Sequence, residues 1–193
     1  MGAGAAAAAN EWIYRALIYS DFKIPEGLGK TMSESKPIDG KERIRRRNFL
    51  WLEEYGYDRH YIRSDRDEKL AGVLFKPEKK SNIFLFCAHG YRSFGMKEFN
   101  GVIRFYLERG YNVFLPDHVG AGESEGTHCT FGHFETEDCM KWLTYLKENF
   151  GEDIVIVLHG VSMGCATVTM MNGRDDLPEN VKSKFNDKKG NHG

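Results

Sequence analysis

The sequence has no apolar run long enough to cross a membrane, no closely spaced pair of cysteines and no excess of either charge. Each absence removes a class of protein. The start, Met1 to Ala9, is a Gly/Ala run with neither the basic leader nor the sustained apolar stretch of a secretion signal, and Ala6 stands where a myristoylation site after Gly2 needs Ser or Thr. With 27 basic and 28 acidic side chains there is no global field to draw in nucleic acid or an anionic membrane. Cys87, Cys129, Cys139 and Cys165 form no Cys-x-x-Cys pair and read as reduced, mostly packed thiols. The expectation is a cytoplasmic protein with no cofactor and no metal. At 41% hydrophobic and 28% charged, 193 residues suffice for one domain with a sizeable core.

Two clusters of polar residues deserve a bland reading first. His128, Cys129, His133 and Glu135 lie close in sequence, yet they lack a recognised metal-ligand spacing and fall where a loop enters a helix. The basic run Lys41 to Arg47 leads into an apolar helical stretch and reads as a solvated helix face, with a phosphate or lipid-headgroup patch as the lesser alternative.

Along the chain, residues 5–19 read as a helix with Trp12, Ile13, Ala16 and Leu17 on one side, which either packs on the domain or makes a weak membrane-surface contact. A loose segment rich in Gly, Pro, Ser and Lys follows, then a helix over 41–55 closed by Gly56. Strands over 59–63 and 69–76, joined by the polar turn Ser64-Asp65-Arg66-Asp67, form a hairpin. From there strands at 83–88, 112–115 and 154–158 alternate with helices at 96–109, 133–149 and 163–173. That alternation predicts an α/β fold with a mostly parallel sheet covered on both faces. The chain thus divides into an N-terminal helical segment and linker (1–56), an α/β domain (57–182) and a polar tail (183–193).

The run Ile154 to Leu158 continues through His159-Gly160-Val161-Ser162-Met163-Gly164 into a helix-forming segment. A serine at the tip of a sharp, strained strand-to-helix turn needs neighbours without side chains two positions to either side, and Gly160 and Gly164 supply them. Ser162 is therefore the candidate nucleophile. The motif alone is weak, because a Gly-rich chain produces it by chance, but the apolar strand before it supplies the required context. Gly120-Ala121-Gly122 does not make a dinucleotide fingerprint, since Gly126 comes one residue late and the next helix begins only near 133.

Three motifs now occur in one order: His89-Gly90-Tyr91 after the third strand, Asp117 to Gly126 after the fourth and the Ser162 turn after the fifth. In this the chain resembles the α/β-hydrolase superfamily, closest to bacterial prolyl-oligopeptidase-like and uncharacterised α/β hydrolases, over roughly residues 57 to 182. Their loop after strand four reads Asp-x-Arg-x-His-Gly-x-Ser-Glu-Gly. Asp117, Gly122, Ser124, Glu125 and Gly126 match it, while Val119 and Ala121 replace the Arg and the His. The resemblance implies strand order 1-2-4-3-5, an oxyanion hole from the backbone N–H groups of Tyr91 and Met163, and a supporting role for His89, with Gly90, as an organiser of its loop and not as a base.

The resemblance also implies the chain order Ser, acid, His, and only 29 residues separate Ser162 from His192. Less a helix, that leaves too little chain for further crossover units. Residues 183–193 are polar throughout, and Asp187 and His192 mimic the order without a scaffold. The sequence thus reads as truncated after the nucleophile elbow, with the C-terminal strands, the acid and the base absent. Two functions follow: a serine hydrolase of esters, thioesters or amides acting on a small acyl substrate through Ser162, or a non-catalytic remnant or interaction module. Either way, strand 154–158 is expected to form a bare sheet edge that invites self-association.

Overall fold

The computed structural model describes residue 18 and residues 39–182. Helix α1 (Asp39–Tyr55) precedes the hairpin β1 (Asp58–Arg63) and β2 (Lys69–Phe75), then β3 (Ile83–Ala88), the short helices α2 (Gly95–Phe99) and α3 (Ile103–Leu107), and β4 (Asn112–Pro116). Helix α4 (His133–Phe150), strand β5 (Val155–Gly160), helix α5 (Met163–Asn172) and strand β6 (Val181–Lys182) complete it. The six strands form one sheet in the order β1-β2-β4-β3-β5-β6. β1 pairs β2 and β2 pairs β4 antiparallel; the pairs from β4 onward are parallel. This is the expected α/β architecture. No helix among the described residues is long and apolar enough to cross a membrane.

Strand periodicity explains the layers. Successive side chains point to opposite faces, so Phe84 and Phe86 of β3 join Phe114, Trp142, Leu143, Leu146 and Met171 under α4 and α5. Leu85 and Cys87 join Val113, Leu115, Leu52, Phe99, Ile103 and Leu107 under α1, α2 and α3. Burial on both faces is why the inner strands read as unbroken apolar runs. The hairpin turn is closed by Ser64, whose Oγ accepts from the N–H groups of Arg66 at 3.2 Å and Glu68 at 3.1 Å.

Two expectations need correction. The single helix over 96–109 is two short ones, because Asn100 Nδ2 donates to the Lys97 carbonyl at 2.8 Å and Val102 leaves the helical region at φ −121°, ψ −14°. A side chain that bonds the local backbone competes with the helix ladder, and Gly101 next to it weakens the ladder further. The strand 154–158 is also not bare: Val181 and Lys182 pair with Ile156 and Val157, and the Ile156 N–H donates to the Asn180 carbonyl at 2.9 Å. Leu158, His159 and Gly160 extend past that short strand. Residues 5–19 lie outside the described residues except Ile18, whose carbonyl accepts from the Cys129 N–H at 2.6 Å. Asp187 and His192 lie outside them as well.

Candidate active site

The carboxyl ends of β3, β4 and β5 converge. At the end of β5 the chain turns through Ser162 at φ 54°, ψ −117°, the left-handed region that a side chain rarely occupies. The turn is held by the Gly164 N–H donating to the Val161 carbonyl at 2.9 Å and the Cys165 N–H donating to the Ser162 carbonyl at 2.9 Å. A Cβ at Gly160 would strike the Gly164 carbonyl, and one at Gly164 would strike the Ala88 carbonyl. The Gly-x-Ser-x-Gly spacing is thus dictated by backbone meeting backbone. Ser162 is exposed at the head of α5, and Met163 is the first residue of that helix, whose N–H has no intrahelical acceptor.

Gly90, past the end of β3, faces this turn: a Cβ there would stand 3.2 Å from Ser162 Cβ and from the Val161 carbonyl. Its neighbour His89 is 1% exposed and fully engaged. The His118 N–H donates to His89 Nε2 at 3.0 Å, so Nε2 carries no proton; Nδ1, 2.8 Å from the Gly90 carbonyl, is then the donor. Burial draws the imidazole below its ordinary pKa and favours this neutral form. A ring with both nitrogens committed to backbone cannot shuttle a proton.

At the end of β4, Asp117 organises the next loop. Its Oδ1 accepts from the Gly95 N–H at 2.8 Å and its Oδ2 from the Glu123 N–H at 3.2 Å. Ser124 Oγ donates to the Asp117 carbonyl at 2.7 Å and accepts from the Ala71 N–H at 2.9 Å, tying loop to sheet. Gly122 has φ 53°, and a Cβ there would overlap the Asp117 carboxylate. Burial pushes the Asp117 carboxyl above its ordinary range, against the pull of the two N–H donors. The replacements at Val119 and Ala121 leave this network in place.

These loops enclose a cavity of about 270 Å³ lined by His89, Gly90, Tyr91, His118, Cys129, Glu135 and Met163 among others. The structure therefore brings Tyr91, Met163, His89 and Gly90 to one cavity, with Ser162 against Gly90. Ser162 makes no hydrogen bond to a histidine among the described residues. His159 is not near: its ring packs edge-on against Phe99 at 5.3 Å, on the α2–α3 side of the sheet.

Sequence reasoning weighed Glu135 only as a metal ligand and missed its part in the loop. It is fully buried, and its carboxylate accepts from the Thr130 N–H at 2.8 Å, the Thr130 hydroxyl at 2.6 Å and the Gly132 N–H at 2.8 Å. This folds the approach to α4 so that Phe131, at φ 53°, stacks on Tyr91 with ring centroids 5.3 Å apart. The signal was present, since a Glu three residues into a helix commonly reaches back to its first N–H groups. Cys129 Sγ lies 3.2 Å from Met163 Sδ, and burial pushes its thiol up to about 11. Glu135 and Cys129 are thus engaged elsewhere, and among the described residues no group of three or more His, Cys, Asp or Glu could hold a metal. His118 was noticed only by position; it is buried against His89, ring centroids 4.3 Å apart, with its Nε2 unpartnered among the described residues.

Comparison with known proteins agrees with this fold. A sequence model of the alpha/beta hydrolase fold matches residues 84–185, just over half of the chain. The uncharacterized protein YqkD of Bacillus subtilis is 28% identical over 134 residues, which cover 68% of this chain and 39% of that protein. Among solved structures, the Pyrococcus furiosus esterase Pf2001 is 27% identical with a TM-score of 0.55, covering 64% of this chain and 50% of the esterase. The α/β hydrolase GrgF of Penicillium sp. sh18, at 19% identity and a TM-score of 0.53 over 62% of this chain and 42% of that one, shares the fold. The chain thus spans about two-fifths of the Bacillus protein and half of the esterase.

Proposed function

The chain belongs to the alpha/beta hydrolase fold family, and from that membership we propose that it carries the nucleophile and oxyanion hole of a serine hydrolase cleaving esters, thioesters or amides. The observation that carries this reading is the backbone of Ser162, held at φ 54° between Gly160 and Gly164 at the head of α5. In this mechanism Ser162 Oγ attacks the acyl carbonyl and loses its proton to a base. The N–H groups of Tyr91 and Met163 receive the oxyanion, the alcohol, thiol or amine departs, and water releases the acyl group from Ser162. Each oxyanion donor contributes about 3 kcal/mol in a dry site. On this reading the base and its carboxylate belong to residues outside the described ones, because no described histidine is hydrogen-bonded to Ser162 and both nitrogens of His89 are committed to backbone.

The absence of a histidine on Ser162 among the described residues favours a second reading, a non-catalytic module that keeps the fold. A fluorophosphonate probe separates the two. Under the serine-hydrolase reading, the chain labels slowly, added imidazole accelerates labelling by standing in for the base, and Ser162→Ala abolishes both. Labelling that survives Ser162→Ala would overturn the nucleophile assignment, and fast labelling without imidazole would put a base within the chain. The prolyl-oligopeptidase-like subtype rests only on the Asp117 to Gly126 loop, and the acyl substrate is small in proportion to the cavity.

A further inference from the structure

We propose that the face built by α1 and the α2–α3 pair docks on an anionic lipid surface. On α1, Arg43, Arg46, Arg47 and Leu50 recur at helical spacing and form one solvent-facing stripe. Leu50 is 64% exposed, and Ile44, which lines the groove toward α2, 52%. None of Arg43, Arg45, Arg46 and Arg47 forms an ion pair among the described residues, so their charge is directed outward.

The stripe continues onto the neighbouring helices. Arg104 of α3 lies over the Trp51 ring at 5.3 Å, and the groove between them, about 480 Å³, is lined by Arg47, Asn48, Trp51, Asn100, Gly101 and Arg104. A second groove of about 350 Å³ shares Asn48, Asn100 and Gly101 and adds Arg45 and Lys97, with Glu98. Arginine forks beside amide donors suit phosphate oxygens. Val102 and Phe105 stand exposed nearby, with the Arg109 guanidinium 3.5 Å above the Phe105 ring.

Four of the seven large apolar side chains exposed among the described residues, Ile44, Leu50, Val102 and Phe105, therefore fall on this one face. The carboxylates there are Glu53, Glu54, Glu98 and Glu108, the last already bonded to Arg104 at 2.8 Å. Among the described side chains, seven cations (Arg43, Arg45, Arg46, Arg47, Lys97, Arg104 and Arg109) thus face four carboxylates, in a chain whose net charge is −1. The charge fits an anionic partner. The interleaved Ile, Leu and Val fit a bilayer and not a nucleic acid, since aliphatic side chains enter the acyl boundary, and the two aromatic rings here, Trp51 and Phe105, already carry the guanidinium groups of Arg104 and Arg109 where a base would stack. Ser93 lines both the second groove and the cavity beside Ser162, so docking sets that cavity along the membrane surface. The proposal does not depend on Ser162 chemistry.

The test is co-sedimentation of the full chain with phosphatidylcholine vesicles, with and without phosphatidylglycerol, at low and high salt. Binding is expected only to the anionic vesicles and weaker at high salt. The triple substitution Arg43→Gln, Arg46→Gln, Arg47→Gln should lower the partition coefficient on the order of a hundred-fold, roughly five-fold per arginine. Leu50→Ser should weaken binding even where salt has screened the charges. Lys147→Gln, on α4 across the sheet, should change nothing, and circular dichroism verifies that every variant is folded. Equal binding to neutral vesicles, indifference to the triple substitution, or capture of a single-stranded oligonucleotide with no vesicle binding would each overturn the proposal.

Discussion

The Arg66 guanidinium donates to the Asp138 carboxylate at 2.7 Å, where the Asp138 side chain is 4% exposed and its second oxygen has no partner among the described residues. Burial raises the Asp138 carboxyl to about 6 even though Arg66 pulls it down. The folded state therefore holds this proton more tightly than the unfolded chain does. Stability from this group is present at low pH and is lost as pH rises through about 6. Asp138→Asn should then leave stability at pH 8 unchanged or higher. Arg66→Ala strands a buried carboxylate and should cost on the order of 3 kcal/mol at pH 8, and less at pH 5. Urea melts at both pH values decide it, and a loss in Arg66→Ala that does not shrink at pH 5 would contradict the account.

A second expectation concerns His89. His89→Ala leaves the His118 N–H buried without a partner, at about 1–3 kcal/mol, and leaves the Gly90 carbonyl with only the Ser93 N–H at 3.3 Å. A thermal melt should show the midpoint lowered by roughly 5–10 °C. Because burial depresses the pKa of His89, its contribution is present above about 6.5 and lost as pH falls, the reverse of Asp138. The variant should accordingly lose less stability than the parent on acidification.

The close approach of β3 and α5 predicts a contrast between two glycines. Gly164→Ala drives a methyl into the Ala88 carbonyl and should abolish cooperative folding or cost about 4 kcal/mol or more. Gly173→Ala, with its nearest neighbour at 3.6 Å and an ordinary φ of −84°, should stay within about 1 kcal/mol of the parent. Circular dichroism melts of the pair test this, and similar losses in both would refute the steric argument.

Leu158 to Gly160 pair with β3 on one side but extend beyond the two-residue β6 on the other, leaving that outer edge without a ladder partner among the described residues. Such an edge pairs with other chains. Light scattering after size exclusion should show concentration-dependent dimers. A monomer at all concentrations would mean the edge is covered.

The strands were legible because residues buried on both faces leave unbroken apolar runs, as in Ile83 to Ala88. The elbow was legible because its glycines answer to backbone sterics. The break between α2 and α3 was not, since Phe99, Val102, Ile103, Tyr106 and Leu107 keep helical spacing straight across it. Yet Val102 is 38% exposed, and only the Asn100 side chain marks the interruption. β6 escaped notice because it has one apolar residue and is held by backbone pairing to β5. Glu135 lay inside a group of residues weighed as metal ligands, although a carboxylate at that helical position binds its own loop more readily than an ion.

The bond that shapes the cavity wall runs from His89 Nε2 to the backbone at position 118 and ignores the side chain there. Position 118 consequently serves the wall through its backbone, while its buried ring packs on His89. Any residue with an N–H preserves the wall, and only proline would erase it. With His118 lining the same cavity as Tyr91 and Met163, a change of its side chain would reshape that cavity while the backbone bond to His89 stayed in place.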